Sequence, residues 1–230
     1  MTGYKKLDNP VWYSLSEIHK NLSINYPHIK FYDPEYCHFG SFIENGDVAF
    51  QIDEYSKLIN NFFVVGEKPD FSNRIFLRKE VVCLQMILEK RIEITPTEKI
   101  VNLDEGSSNS LFNLVNEVQP GYFTGKTHLM GDYFGIIKEE KLVAVTGERM
   151  KMDDLTEVSA VVTHPSYAGQ GYAKQLVAHT SNKILDENKT PYLHVAETNL
   201  NAISLYEKLG FKTRRKISFW NLETNLKITI

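Results

Sequence analysis

The sequence predicts an α/β chain whose second half runs β-β-β-α-β-α-β and whose first part is rich in strands. Three features predict it. Apolar runs of strand length alternate with segments of helical three-to-four spacing, turn residues punctuate both, and a glycine turn joins one strand directly to a helix. Composition agrees with a folded chain: of 230 residues, 42% are hydrophobic and 24% charged, outside the range of disordered or low-complexity sequences. That length suits one large domain or two small ones. Lysine and arginine number 26 against 29 acidic residues, a net charge of −3, which gives no field for a polyanion. Nucleic acid is therefore not an expected partner. Cys37 and Cys83 fall outside any C-x-x-C spacing, so neither a disulfide framework nor a thiolate zinc site is expected. The N-terminus lacks an apolar signal core and no run is long enough to span a bilayer, so the expectation is a cytoplasmic protein without a membrane partner.

Taken in order, Asp8-Asn9-Pro10 offers a capping residue and a proline at the first helical position, and Val11, Leu15, Ile18 and Leu22 continue at helical spacing. Cys37 to Phe42 and Val48 to Ile52 flank Asn45-Gly46, a dipeptide suited to positive φ, and read as paired strands, with Phe62 to Val65 a further strand. Glu80 to Lys90 is continuously apolar enough to fit strand or helix. A boundary is expected near Thr95-Pro96, giving regions 1–95 and 96–230. Ser107 to Val118 carries Leu111, Leu114, Val115 and Val118 at helical spacing. Tyr133 to Ile137 and Leu142 to Thr146 form a hairpin around Lys138-Glu139-Glu140-Lys141, and Leu155 to Thr163 is the third strand. A helix is expected from about Tyr172 to Asp186, a buried strand from Tyr192 to Ala196, a helix from Asn199 to Leu209, and a strand pair from Phe211 onward.

The most informative stretch runs from Val161-Val162-Thr163 through His164 and Pro165 to Ala168-Gly169-Gln170-Gly171-Tyr172-Ala173-Lys174. Glycines let backbone approach a ligand, and the first amides of the following helix lack intrahelical partners and sit at its positive end, a geometry that holds phosphate. A dinucleotide-binding turn competes for this reading, with Glu197 in place of the acidic ribose contact. It fails because Lys174 occupies the third glycine position and antiparallel strands precede the turn. A glycine-containing strand-to-helix turn is also often purely structural.

The second constellation is Asn199-x-x-Ala202-x-x-Leu205-Tyr206-x-x-x-Gly210-Phe211. Much of it doubles as the packed face of an amphipathic helix with Gly210 as its C-cap. The two motifs in this order resemble the GNAT superfamily of acyl-CoA-dependent N-acetyltransferases over about Ile100 to Trp220. The phosphate motif of that family, (Gln/Arg)-x-x-Gly-x-(Gly/Ala), is matched from Ala168 to Ala173 with Ala168 departing from Gln or Arg. The resemblance implies a mixed, mostly antiparallel sheet flanked by helices. It also implies acetyl-CoA as co-substrate and direct transfer to a primary amine of a small molecule, amino acid or peptide, without a metal. It places the pyrophosphate on residues 168–174 and the pantetheine arm along Val161, Val162 and Thr163. Asn199 and Ala202 border the cofactor, and the Tyr206 hydroxyl faces the sulfur.

For the base the resemblance offers Glu157, where histone-type members carry glutamate, and His194, where some ribosomal-protein acetyltransferases do. The bland readings are a solvated strand-end Glu157, a hydrogen-bonded core His194, and a water chain with no dedicated base. His164 reads as a loop residue within reach of the cofactor, His179 as solvent-facing, and Arg214-Arg215-Lys216 as an exposed strand start. No histidines and carboxylates are spaced as a metal site. A binding module that kept the cradle and lost transfer is the other class of function open here. Residues 1–95 match no motif; a degenerate copy of the same fold, a lid over the acceptor site and a homodimer surface are the roles open to them.

Overall fold

A computed structural model describes residues 4–43 and 47–225. In chain order its elements are α1 (Pro10–Ser14), β1 (Ser23–Asn25), β2 (Ile29–Tyr32), β3 (Phe39–Phe42), α2 (Val48–Tyr55), β4 (Asn61–Val65), β5 (Ile75–Ile87) and β6 (Ile100–Asn102). There follow α3 (Ser108–Val118), β7 (Tyr133–Lys138), β8 (Lys141–Lys151), β9 (Leu155–Thr163), α4 (Tyr172–Asp186), β10 (Thr190–Ala196), α5 (Leu200–Lys208) and β11 (Lys212–Thr224). The chain forms two compact units, Met1–Cys83 with Lys216–Ile230, and Leu84–Arg215. The division falls before the proline signal at 95–96 because Met86, Leu88 and Ile92 are buried in the core of the second unit. No described helix is long and apolar enough to cross a membrane.

In the first unit β1, β2 and β3 pair antiparallel, β3 and β4 pair parallel around α2, and β11 pairs antiparallel with β4. Its core stacks Phe31 on Tyr55, ring centroids 3.8 Å apart, with Phe62 edge-on to both. Gly40 lies so close to the Phe31 ring that a Cβ would come within 2.1 Å of it. Three expectations are corrected here. The helix opening at Pro10 is capped by Asn9, whose side chain accepts from Trp12 N, but it ends at Ser14. Only Val11 and Leu15 of its apolar stripe are buried in full, while Ile18 is exposed. Val48 to Ile52 is helix, not strand: Asp47 caps it by accepting from Phe50 N, and Val48, Gln51, Ile52 and Tyr55 form its buried face. The Asn45-Gly46 turn lies outside the described residues. The undecided segment from Glu80 belongs to strand β5, and the pair expected after Phe211 is the single strand β11.

In the second unit β6, β7, β8 and β9 are antiparallel neighbours and β9 pairs parallel with β10. The predicted β-β-β-α-β-α-β order is present from Tyr133 onward. The β7–β8 hairpin turns on Glu139 and Glu140, both at positive φ (48° and 61°) without a glycine. Strand alternation packs Tyr133, Val145 and Val162 with Leu111, Leu114 and Val115 of α3, and Phe134 and Ala144 with Tyr172 and Leu176 of α4. Helix α5 and its C-cap add Tyr206 and Leu209 to a cluster with Met86, Leu193 and Val195. The sheet is thus mixed, mostly antiparallel, and flanked by helices, as expected.

Candidate active site

Strand β9 organises the site. Its parallel pairing with β10 covers Leu155–Thr190, Thr156–Pro191 and Glu157–Tyr192 and then stops. Beyond that point β9 keeps its antiparallel partner β8 as far as Ala144–Thr163, so its other edge is released from β10. A bulge interrupts the released stretch: Val145 faces Val162 while Gly147 faces Ser159, and Ala160 takes φ 50°. The extra residue resets the alternation, which is why Val158 and Val161 join one apolar cluster while Val162 joins another. Thr163 ends the strand with its Oγ1 buried and without a hydrogen-bond partner among the described residues.

The glycine turn follows. Gly169 and Gly171 adopt φ 79° and 76°, conformations that favour residues lacking Cβ, and a Cβ at either would meet nothing within 4 Å. Ala168, Gly169, Gln170, Gly171 and Lys174 are exposed, Ala173 is half-buried, and Tyr172 is buried with its hydroxyl donating to Gln170 Oε1 at 2.7 Å. Helix α4 begins at Tyr172 with Gly171 at the N-cap and no side chain capping it. Its first amides therefore take no side-chain cap at the positive helix end, a geometry that fits a pyrophosphate.

Helix α5 presents the second motif. Asn199 caps it, its Oδ1 accepting from Ala202 N at 3.2 Å, so this asparagine has a structural task that sequence motifs alone did not reveal. Ala202 is half-buried and Gly210, at φ 94°, turns the chain out of the helix. Tyr206 is 7% exposed and tilts against Phe211, and burial pushes its hydroxyl up to about 12. It remains protonated at neutral pH and makes no hydrogen bond within the chain among the described residues. A protonated, uncommitted hydroxyl is what a departing thiolate needs.

Glu157 is not a solvated strand-end charge. It is 1% exposed, held by Arg149 through Nε–Oε2 at 2.7 Å and Nη2–Oε1 at 2.9 Å, and Oε1 also accepts from His194 Nδ1 at 2.8 Å. Burial raises the pKa of this carboxyl, but the Arg149 guanidinium and the hydrogen bonds from Arg149 and His194 outweigh it and bring it down to about 2. A carboxylate so stabilised is a weak proton acceptor. His194 is buried with it, edge-on to the Tyr192 ring at 5.6 Å. Sequence reasoning missed Arg149, whose pairing with Glu157 depends on β8 lying beside β9 and leaves no local mark in the sequence.

The remaining histidines sort plainly. His164 Nδ1 accepts from Ser166 N, and its Nε2 lies 3.3 Å from Glu117 beside a groove of about 510 Å³ lined in part by Asn113, Lys141 and Tyr167. His179 is exposed, its ring against Phe134. One carboxylate cluster was not anticipated: oxygens of Asp132, Glu148 and Glu187 lie within 4.8 Å of one another. The Lys183 ammonium bonds all three, at 2.8 Å to Glu148 and 2.6 Å to Glu187, and occupies the position a cation would take.

Residues 133–220 match the family described as FR47-like protein. Among solved structures, a GNAT-family protein from Novosphingobium aromaticivorans DSM 12444 is 28% identical, with a TM-score of 0.86 over 95% of this chain and 98% of that one. A GCN5-related N-acetyltransferase from Kribbella flavida shares the fold at 12% identity, with a TM-score of 0.66 over 97% and 96% of the two chains. A GCN5-related N-acetyltransferase-like protein from Streptococcus suis 89/1591 does so at 15% identity and a TM-score of 0.64, covering 96% of each. No curated protein matches the chain.

Proposed function

Since the chain belongs to the GNAT superfamily, we propose that it is an acyltransferase that moves an acetyl group from acetyl-CoA to the primary amine of a small molecule, amino acid or peptide. The observation that carries the reading is the uncapped start of α4, reached through two left-handed glycines, beside the edge that β9 releases from β10.

Acetyl-CoA supplies a thioester whose carbonyl carbon an amine can attack. The amides from Gly169 to Lys174 hold its pyrophosphate, and the freed edge at Val161, Val162 and Thr163 offers backbone donors and acceptors to the pantetheine arm. A backbone N–H on that edge polarises the carbonyl as it gains charge. The amine nitrogen bonds to the carbonyl carbon, the carbon–sulfur bond breaks, Tyr206 gives its proton to the thiolate, and the proton that the nitrogen sheds on becoming an amide returns through water to Tyr206. The acceptor arrives neutral, having lost its proton to water, because the one basic nitrogen of His194 is engaged by Gln85. Glu157, tied by Arg149, serves by orienting the imidazole. Asn199 contributes by starting α5 and so placing Tyr206.

The test is to incubate the full chain with acetyl-CoA and panels of amines, amino acids and peptides while following coenzyme A thiol. Thiol release that depends on one class of amine is the expected result. Tight acetyl-CoA binding with no release across the panels would replace the reading with the binding-module alternative.

A further inference from the structure

Behind the point where β9 and β10 part, a line of hydrogen bonds crosses the second unit from Arg214 to Gln85 to His194 to Glu157 and ends on Arg149. Arg214 Nη1 donates to Gln85 Oε1 at 2.9 Å, Gln85 Nε2 lies 3.1 Å from His194 Nε2, and His194 Nδ1 lies 2.8 Å from Glu157 Oε1. The direction of each bond follows from the inventory of donors. A guanidinium only donates, so the atom of Gln85 that faces Arg214 is its carbonyl oxygen. The other end of that carboxamide is then an NH₂ group. Facing it, His194 Nε2 can only accept, which leaves the ring proton on Nδ1, where it meets a carboxylate that only accepts.

We propose that Gln85 and Arg214 are positioning residues that hold His194 as the neutral Nδ1–H tautomer, with its one proton-accepting nitrogen covered by the Gln85 carboxamide. Glu157 and Arg149 fix the opposite side of the ring. Among the described residues, the groups that face or connect to the imidazole include Glu157 on β9 with Arg149 of β8 behind it, Gln85 on β5 with Arg214 of β11 behind it, and the Tyr192 ring on its own strand. The two sides oppose each other. Glu157 favours an imidazolium, as a carboxylate on Nδ1–H does in a catalytic triad. A proton on Nε2 would instead meet the N–H of Gln85, and the carboxamide can turn to receive it only by presenting an N–H to Arg214. Arg214 thereby resists the turn and keeps the ring proton on Nδ1. Use of that ring in transfer rests on the acetyl-transfer reading; its tautomer does not.

The test is nitrogen NMR of the full chain, with the His194 ring assigned by His194→Gln and followed through pH. Wild type is expected to show the Nδ1–H pattern. Gln85→Glu replaces the covering N–H by an acceptor and should bring a proton onto Nε2. Arg214→Met releases the carboxamide and should bring in the Nε2–H form, a change that loss of packing alone would not produce. This second variant decides the matter if the first fails to fold. An Nε2–H ring in wild type, or a folded variant of either kind with the wild-type tautomer, overturns the proposal. Thiol release by wild type is measured separately, and its absence would sink the transfer reading while leaving the tautomer standing.

Discussion

The proposed transfer asks one side chain, Tyr206, to serve packing and chemistry together. Its ring is buried with Leu209 and Phe211, so a phenylalanine would keep the core, and its hydroxyl alone is free for the sulfur. A contact made mainly in the transition state lowers kcat and kcat/KM together, and general acid help is worth about 10²–10⁴-fold. Tyr206→Phe is therefore expected to lose at least about tenfold in turnover with acetyl-CoA affinity nearly intact, as steady-state kinetics and calorimetry will measure; unchanged turnover would make Tyr206 core only. Gly171→Glu is expected to act on binding instead. It forces a Cβ into φ 76° and sets a negative charge at the uncapped start of α4, where helix-end electrostatics are worth up to ~2 kcal/mol, so calorimetry on the folded variant should read at least about tenfold weaker acetyl-CoA binding. Glu157 bears on pH. Its folded pKa lies below the ordinary 4.5 at about 2, so it stabilises the fold fully above 4.5 and loses that contribution as pH falls toward 2. Acid unfolding of Glu157→Gln should accordingly show a smaller pH dependence between 4.5 and 2 than wild type, and an equal dependence would mean the ion pair with Arg149 survives unfolding.

At the scale of elements, what was legible in the sequence depended on how local the determining contacts are. Helix α4 was readable because Gly169 and Gly171 mark its start and its apolar stripe runs to Ile184; α5 was readable because Asn199 and Gly210 bracket it. Strand β9 was bounded correctly by its apolar run and Pro165. Helix α2 was not, since a single eight-residue helix with Val48, Phe50 and Ile52 alternating mimics a strand, and Asp47 as its cap is no stronger a signal than the Asn45-Gly46 turn before it. The bulge at Ala160 left no mark either, because its cause is the pairing with β8. The same holds for the site: the motifs exposed the cradle and Tyr206, whereas Arg149, Gln85 and the burial of Glu157 come from strands brought together only by folding. Asn199 tests how far element and site are linked. Removing a cap of this kind costs about 1 kcal/mol, so Asn199→Ala should lower the thermal midpoint and also depress turnover through a frayed α5. Thermal melting and thiol release on the same sample will tell, and a stable variant with lost acetyl-CoA affinity would show that Asn199 touches the cofactor directly.

At the scale of the whole molecule, the two units repeat an order of elements but not a site. In the first, β1-β2-β3-α2-β4 closes with β3 parallel to β4; in the second, β7-β8-β9-α4-β10 closes with β9 parallel to β10. The likeness is one of element order and of a parallel closing pair. The chemistry diverges at the helix start: Asp47 caps α2 with a carboxylate where α4 has only Gly171, and no helix between β4 and β5 answers to α5. A carboxylate on those amides both occupies them and repels phosphate, so the full chain should bind one acetyl-CoA, not two, by calorimetric stoichiometry. The same architecture predicts where the chain tolerates cutting. A fragment beginning at residue 96 loses Met86, Leu88 and Ile92, all buried in the cluster that holds Tyr206 and Leu209, and loses β5, the sheet neighbour of β10. Large buried residues removed from one core cost several kcal/mol each, against a total stability of about 5–15 kcal/mol. Residues 84–215 keep that cluster, both cofactor motifs, and the Arg149–Glu157–His194–Gln85–Arg214 line complete. Circular dichroism and calorimetry should therefore find residues 84–215 folded and binding acetyl-CoA and residues 96–230 unfolded. A folded, acetyl-CoA-binding 96–230 fragment would place the start of the cofactor unit after Ile92.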